Sequence, residues 1–291
     1  MGYRGDMWRL LTVLAAFTLV AGGAACGQKA SAAEIVQASS AKTANAKTAK
    51  MAMTVQAAGK TVSADGVIDL VGKRALLSFD LATLGLPAQF GNGKLDATII
   101  GSLVYMKLPA QLAAQVPGGK PFIKIDAAAV SQKQGIDLGA LQQGGNPSDQ
   151  LGYLRGASSG VTAVGSETLR GAKTTHYKAT IDLDKAAAKM TAEQRKSIDA
   201  IKTQLGKSTF PMEVWIDSAG RARKMTYSID ASQAAAASGQ AGAAAAQAGP
   251  TAITMELFDY GTTVNVNEPP ADQVTDLTAL ASQAAGAAKT P

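Results

Sequence analysis

The chain of 291 residues contains one histidine, His176, and one cysteine, Cys26. A single cysteine excludes an intrachain disulfide, and one histidine leaves almost no material for a Ser-His-Asp triad, a Cys-His pair or a His/Cys metal centre. Aromatic residues are also few, with two tryptophans, six tyrosines and six phenylalanines. No dense Lys/Arg run interleaved with aromatics points to nucleic acid. A phosphate-binding glycine loop and a GxGxxG before a helix are both missing. Carboxylates are plentiful enough for chemistry of the glycosidase type, yet Asp69, Asp182 and Glu213 fall on the polar faces of alternating segments, where solvated residues belong. No catalytic residue, cofactor or metal is expected.

What is present begins at the N-terminus. Arg4 and Arg9 precede an apolar run from Leu10 to Ala21, and small residues lead to Cys26, the pattern of a secretory signal peptide over residues 1–25. The apolar run is short for a membrane span. The segment "GAAC" resembles the lipobox of bacterial lipoproteins, with Gly23 where leucine is usual. Cys26 is thus the expected lipidation site, and two acyl chains on it would give stable attachment. The net charge of +6 is a mild basic excess that suits anionic headgroups or an ordinary solvated surface.

Residues 26–33 form a polar tether. Glu34 to Lys50, rich in alanine and lysine, predicts a helix with a thin apolar face. From Met51 the period becomes two. Met51, Met53 and Val55 alternate with polar or small residues, and "AAGK" turns the chain into Val62, Ala64, Gly66, Ile68 and Leu70. Leu77, Phe79 and Leu81 follow on one face, and Gly101-Ser102 marks a hairpin between Ile99-Ile100 and Val104, Met106 and Leu108. Gln132 to Asn146 reads as loop, and Pro147-Ser148 as entry to a short helix carrying Leu151 and Leu154. Strands resume over Val161–Leu169 and Lys173–Leu183, the latter placing His176 on a polar, solvated face. Thr191 and Gln194 match a capping box before Ile198, Ile201 and Leu205, with Gly206 at the helix end.

"PMEVWIDSAGRARKMTYSID", Pro211 to Asp230, reads as two strands and a turn. In one register Asp217 pairs with Arg221 across Ser218-Ala219-Gly220, which sets Trp215 opposite Arg223. This leaves Met212, Val214 and Ile216 as an apolar face but puts Met225, Tyr227 and Ile229 on the tryptophan side. A four-residue loop gives the rival register, pairing Ile216 with Arg221 and Met212 with Met225. Residues 232–250 are a low-complexity loop, Thr251 to Tyr260 a last strand with Ile253, Met255 and Leu257 on one face, and residues 277–291 an alanine-rich tail.

Lipobox, first helix, long antiparallel meander, inserted helical region, "PMEVWIDSAGRARKM" and a terminal "FDYGTTVNVNEPP" together resemble the LppX/LprG-type lipoproteins of actinobacteria, which have the LolA-like fold. The resemblance implies an α+β domain over residues 34–276: a strongly curved antiparallel β half-barrel with helices packed on its concave side, enclosing an apolar cavity for acyl chains. The inward-reading residues Met51, Met53, Val55, Leu77, Phe79, Val104, Met106, Met212, Val214, Ile216, Met255 and Leu257 are then the expected lining, although any sheet core needs the same alternation. The expected ligand is a lipid or glycolipid. The expected location is the extracytoplasmic face of the cell membrane, held there by the lipid anchor, with a membrane transporter as a candidate partner. The alternative is an envelope sensor or scaffold that acts through a protein partner. A two-lobed solute-binding lipoprotein is disfavoured, because the chain lacks βαβα alternation.

Overall fold

Ser31 sets the first element. Its hydroxyl accepts from the Glu34 N–H at 3.3 Å, while its own N–H donates to the Glu34 carboxylate at 2.7 Å, a reciprocal capping box that opens α1 (Ala32–Ala44). The computed structural model describes residues 30–57, 59–83, 93–126, 129, 147–192, 195, 198, 199, 202, 207–230 and 250–278. Cys26, the loop expected over residues 132–146, the low-complexity segment up to Gly249 and the tail from 279 onward lie outside the described residues.

The helix ends at Ala44, short of the expected Lys50, because Lys47 adopts a positive φ of 65° and Thr48 already belongs to a strand. Its buried face is Val36, Ser39, Ser40 and Thr43. A face so poor in carbon can dock because its hydroxyls are satisfied locally. Ser39 donates to the Val36 carbonyl and Thr43 to the Ser39 carbonyl, each at 2.7 Å. Thr43 Oγ1 also accepts from the Ala222 N–H at 2.9 Å, which ties the helix to the sheet.

The strands are β1 (Thr48–Ala57), β2 (Lys60–Asp69), β3 (Arg74–Asp80), β4 (Lys94–Ile100), β5 (Leu103–Lys107), β6 (Phe122–Asp126), β7 (Ala157–Leu169), β8 (Ala172–Asp182), β9 (Thr209–Asp217), β10 (Ala222–Asp230), β11 (Pro250–Phe258) and β12 (Val274–Asp276). They form one open sheet in the order β12-β6-β5-β4-β3-β2-β1-β11-β10-β9-β8-β7. Every pairing is antiparallel except β12 with β6. Two sequential meanders, β1 to β6 and β7 to β11, are therefore joined side by side where β1 meets β11. The result is the expected curved half-barrel with helices on its apolar face.

Local turn chemistry matches the sequence. Ala57 pairs with Lys60 around Gly59 at φ +73°, and Ile100 with Leu103 around Gly101 at φ +60°. In the β9–β10 hairpin the Asp217 N–H donates to the Arg221 carbonyl at 2.9 Å, with Gly220 at φ +78° between them. That is the three-residue turn. A β-bulge between Ala222 and Lys224 then shifts the pairing, so that Lys224 faces Trp215 and Met225 faces Val214. The bulge brings Met225 and Tyr227 back to the face of Met212, Val214 and Ile216, so the first register holds at the turn and the pairing beyond it is one that neither reading gives. Trp215 takes Lys224 as its cation, 4.4 Å from the ring centroid, instead of Arg223.

The short helices are α2 (Ala110–Ala113), α3 (Pro147–Tyr153) and α4 (Leu183–Ala188). Of the helix expected after Thr191, residues 192, 195, 198, 199 and 202 are described and helical, and Ile198 is buried. Val36, Leu151, Tyr153, Leu154, Leu183 and Ile198 from these helical segments pack with the apolar face of the sheet into one core.

On the opposite face, the chain after β11 crosses the ends of the first meander as an extended strap. The Gly261 N–H donates to the Thr48 carbonyl at 2.9 Å, Arg74 reaches the Val266 carbonyl at 3.4 Å, and Glu268 hydrogen-bonds Tyr105. It ends as β12, whose Asp276 pairs with Lys124 at 2.7 Å. The other edge strand, β7, is interrupted by pairing irregularities at Ala157/Ser159, Ser159/Thr162 and Ala163/Gly165.

Candidate functional site

Register fixes which side chains share a face. Across the sheet, Ile123 pairs with Met106, Met106 with Ala97, Ala97 with Leu77, Leu77 with Gly66, Gly66 with Met51, and Met51 with Leu257. A parallel row runs Tyr177, Val214, Met225, Met255, Met53, Ala64 and Phe79. Because side chains alternate strictly along a strand, all twelve residues expected to line a cavity lie on one face. Among the described paired positions of that face, from β6 to β8, the charged side chains are Lys60, at the start of β2, and Lys173, near the start of β8.

The face is not uniformly covered. Met51, Leu77, Met212, Val214, Ile216, Met255 and Leu257 are buried in the core shared with the helices. They are packing residues. Met53, Val55, Phe79, Val104 and Met106 are only half-buried. Five neighbours of the same kind, Val62, Leu95, Ile99, Ile125 and Ile253, fall outside the expected lining, although the alternation that selected the others also includes them.

Exposure follows a gradient along four adjacent strands. In β11 Leu257 and Met255 are buried and Ile253 is half-buried; in β1 Ala49 and Met51 are buried, Met53 and Val55 half-buried. In β2 Ile68 and Ala64 are buried and Val62 half-buried, and in β3 Ala75 and Leu77 give way to Phe79. The same rim of the sheet is uncovered in β11, β1 and β2, whereas in β3 Leu81, next on that face after Phe79, is buried. Six of the nine methionines, residues 51, 53, 106, 212, 225 and 255, belong to this face. Unbranched thioethers adapt to irregular apolar shapes.

The polar chemistry is on the other face or at the helix-capped rim. His176 stacks on Trp215 with centroids 4.0 Å apart and planes 7° from parallel, and its Nε2 is 2.7 Å from Glu213 Oε2. The Trp215 N–H donates to Glu167. The histidine is thus on the polar face as expected, but it is packed there instead of freely solvated. At the β9–β10 turn the buried Asp217 carboxylate accepts from the N–H groups of Ala219 and Arg221 at 3.0 and 2.9 Å and pairs with Arg221 and Arg223 at 3.0 and 2.8 Å. Burial alone would raise its pKa, but the Arg221 N–H and the two guanidinium groups outweigh that and hold the carboxyl below the ordinary carboxylate range. Both arginines lie over the Tyr260 ring, 4.7 and 4.8 Å from its centroid, and the Tyr260 hydroxyl donates to the Ala222 carbonyl. This network fastens β9, β10, the end of β11 and α1 together. Among the described residues, no group of three or more His, Cys, Asp or Glu could hold a metal ion, and no helix is long and apolar enough to cross a membrane.

No protein-family model matches the chain. Over 254 residues it is 26% identical to an uncharacterized 31.2 kDa protein from the rplA-rplJ intergenic region of Streptomyces griseus, covering 83% of this chain and 78% of that one. Among solved structures it is similar to lipoprotein LppX of Mycobacterium tuberculosis, with 15% identity, a TM-score of 0.44 and coverage of 80% of this chain and 98% of the other. It is likewise similar to LprF from Mycobacterium bovis, with 14% identity, a TM-score of 0.45 and coverage of 82% and 97%. The type named from the sequence is represented among these.

Proposed function

We propose that this protein is a lipoprotein of the extracytoplasmic membrane face that binds the acyl chains of a lipid or glycolipid on its apolar sheet face, for carriage or presentation. The observation that carries the reading is the half-buried strip of that face. Met53, Val55, Phe79, Val104 and Met106 lie on one face among apolar neighbours, with Lys60 and Lys173 at its margins, and the helices that bury the rest of the face leave them partly open.

The energetics suit a carrier. Each buried methylene gains about 0.8 kcal/mol, so a chain of about 15 methylenes gains roughly 12 kcal/mol gross on leaving water. A bilayer offers nearly the same gain. Exchange between bilayer and protein is then close to neutral, and contacts to the headgroup set its direction.

The test uses the mature chain carrying Cys26→Ala, which keeps it in solution. Uptake of a fluorescent fatty acid is expected, and Val104→Trp, which fills the strip at its pairing with Ile99 and Ile125, is expected to reduce uptake with the circular-dichroism spectrum unchanged. Absence of uptake by the wild-type domain, together with absence of lipid in native mass spectra after gentle extraction, would reject the acyl-binding reading and leave the sensor or scaffold role.

A further inference from the structure

We propose that the uncovered rim of the apolar face is the membrane-facing end of the anchored protein, so that acyl chains pass between bilayer and protein without crossing water. The inference rests on the acyl-binding reading above and adds to it an orientation and a partner, the headgroup surface of the bilayer.

The argument is one of direction. Helix α1 rises about 1.5 Å per residue, and its 13 residues span roughly 20 Å along the sheet. Its C-terminal end is fixed at the covered rim, where the Leu70 N–H after β2 donates to the Lys47 carbonyl at 2.7 Å. Its N-terminal half is fixed at the opposite rim by Gln37, whose Nε2 donates to the carbonyl of Ala157, the first residue of β7, at 2.6 Å. Ala157 pairs with Ile181 and Ile181 with Phe210. Two residues further along β9, Met212 starts the row Tyr227, Ile253, Val55 and Val62. The start of α1 and the half-buried ends of β11, β1 and β2 therefore share a rim.

The chain upstream makes that rim the near one. Five residue steps separate Cys26 from the capping Ser31, and fully extended they reach about 18 Å. The strand β2, with 10 residues at about 3.4 Å each, is roughly 30 Å long. A lipidated Cys26 inserted at the bilayer surface holds the Lys60 end of β2 close to the headgroups and the Val71 end away from them. Two independent features, the place where α1 begins and the direction of the exposure gradient, thus point at the same end.

The test uses the full acylated chain in vesicles. Acylation consumes the only cysteine, so Lys60→Cys and Val71→Cys each supply a unique thiol at an exposed position at opposite ends of β2. Each is labelled with bimane and placed in phosphatidylcholine–phosphatidylglycerol vesicles containing a headgroup-nitroxide lipid. Strong loss of emission from the label at 60, with little loss at 71, is the expected result. Equal quenching, the reverse order, or failure of the acylated chain to stay on vesicles would overturn the proposal. Uptake of a fatty-acid probe by the soluble Cys26→Ala chain is measured in parallel. Uptake with the wrong quenching order rejects the orientation alone, whereas no uptake rejects the acyl-binding reading and the orientation's purpose with it.

Discussion

An ideal Cβ placed on Gly66 would lie 1.9 Å from the carbonyl oxygen of Leu76. Strands β2 and β3 approach each other here as only glycine allows, and the missing side chain leaves a notch in the apolar face between Met51 and Leu77. The contact is with backbone, which cannot rotate away as a flexible side chain could. Gly66→Ala is therefore expected to lower the unfolding free energy by about 2 kcal/mol or more, measured from urea midpoints at constant slope. An unchanged midpoint would show that the two strands can separate at no cost.

Gly220 is a different case. A Cβ there would meet Lys42 Cδ at 2.5 Å, but lysine is flexible and can move, so the cost lies in the backbone at φ +78°. Gly220→Val is expected to destabilise by on the order of 1 kcal/mol or more, and adding Lys42→Ala should not restore the loss. Restoration would assign the cost to the side-chain clash.

Asp217 gives a pH dependence. Its folded pKa is held below the usual value, which is about 3.9 when the chain is unfolded. Its contribution is therefore complete above that unfolded value and is lost as the pH falls through the folded one. Asp276, lowered to about 2 mainly by hydrogen bonds from Lys124 and Thr278 against the opposing effect of burial, acts in the same window. Asp217→Asn is expected to cost about 2 kcal/mol at neutral pH and to flatten, without abolishing, the acid limb of a stability–pH curve. A limb as steep as that of the wild type would remove Asp217 from the account.

Trp8 falls within the expected signal peptide, so removal of residues 1–25 would leave Trp215 as the one tryptophan of the chain. Its ring is stacked on His176 on one strand and approached by Lys224 from another. His176→Ala is expected to change the intensity of Trp215 emission while lowering stability by less than about 1 kcal/mol. Identical emission spectra would mean that the stack does not persist in solution.

Anchoring is tested by Cys26→Ala, which is expected to move the protein from the membrane fraction to the soluble extracellular one. Retention in the membrane fraction would reject the lipid anchor.

The sequence carried the sheet's faces because their chemistry alternates locally, residue by residue, as in Met51, Met53 and Val55. It did not carry β6 and β12. "FIKID" is five residues long, and the three residues of β12 have a partner only because the strap brings them across the sheet. The bulge after Ala222 was equally hidden. Both hairpin registers are acceptable within Pro211–Asp230, and neither pairs Met225 with Val214 as the fold does, with Met255 on its other side. Alternation also cannot distinguish a residue under a helix from one beside an opening, which is why Val214 and Val104 looked alike in the sequence and differ in the fold.

The order of the strands has a consequence for how the chain is made. A chain synthesised N-terminus first releases β1 to β6 long before β11, so the first meander emerges with its β1 edge unpaired and its apolar face without the second half of the sheet. The strap and β12, which complete the other edge at β6, arrive last of all. Contacts separated by so much sequence form slowly. Assembly of the whole half-barrel therefore waits for the last strands of the sheet, and until then the unfinished intermediate leaves its apolar face open.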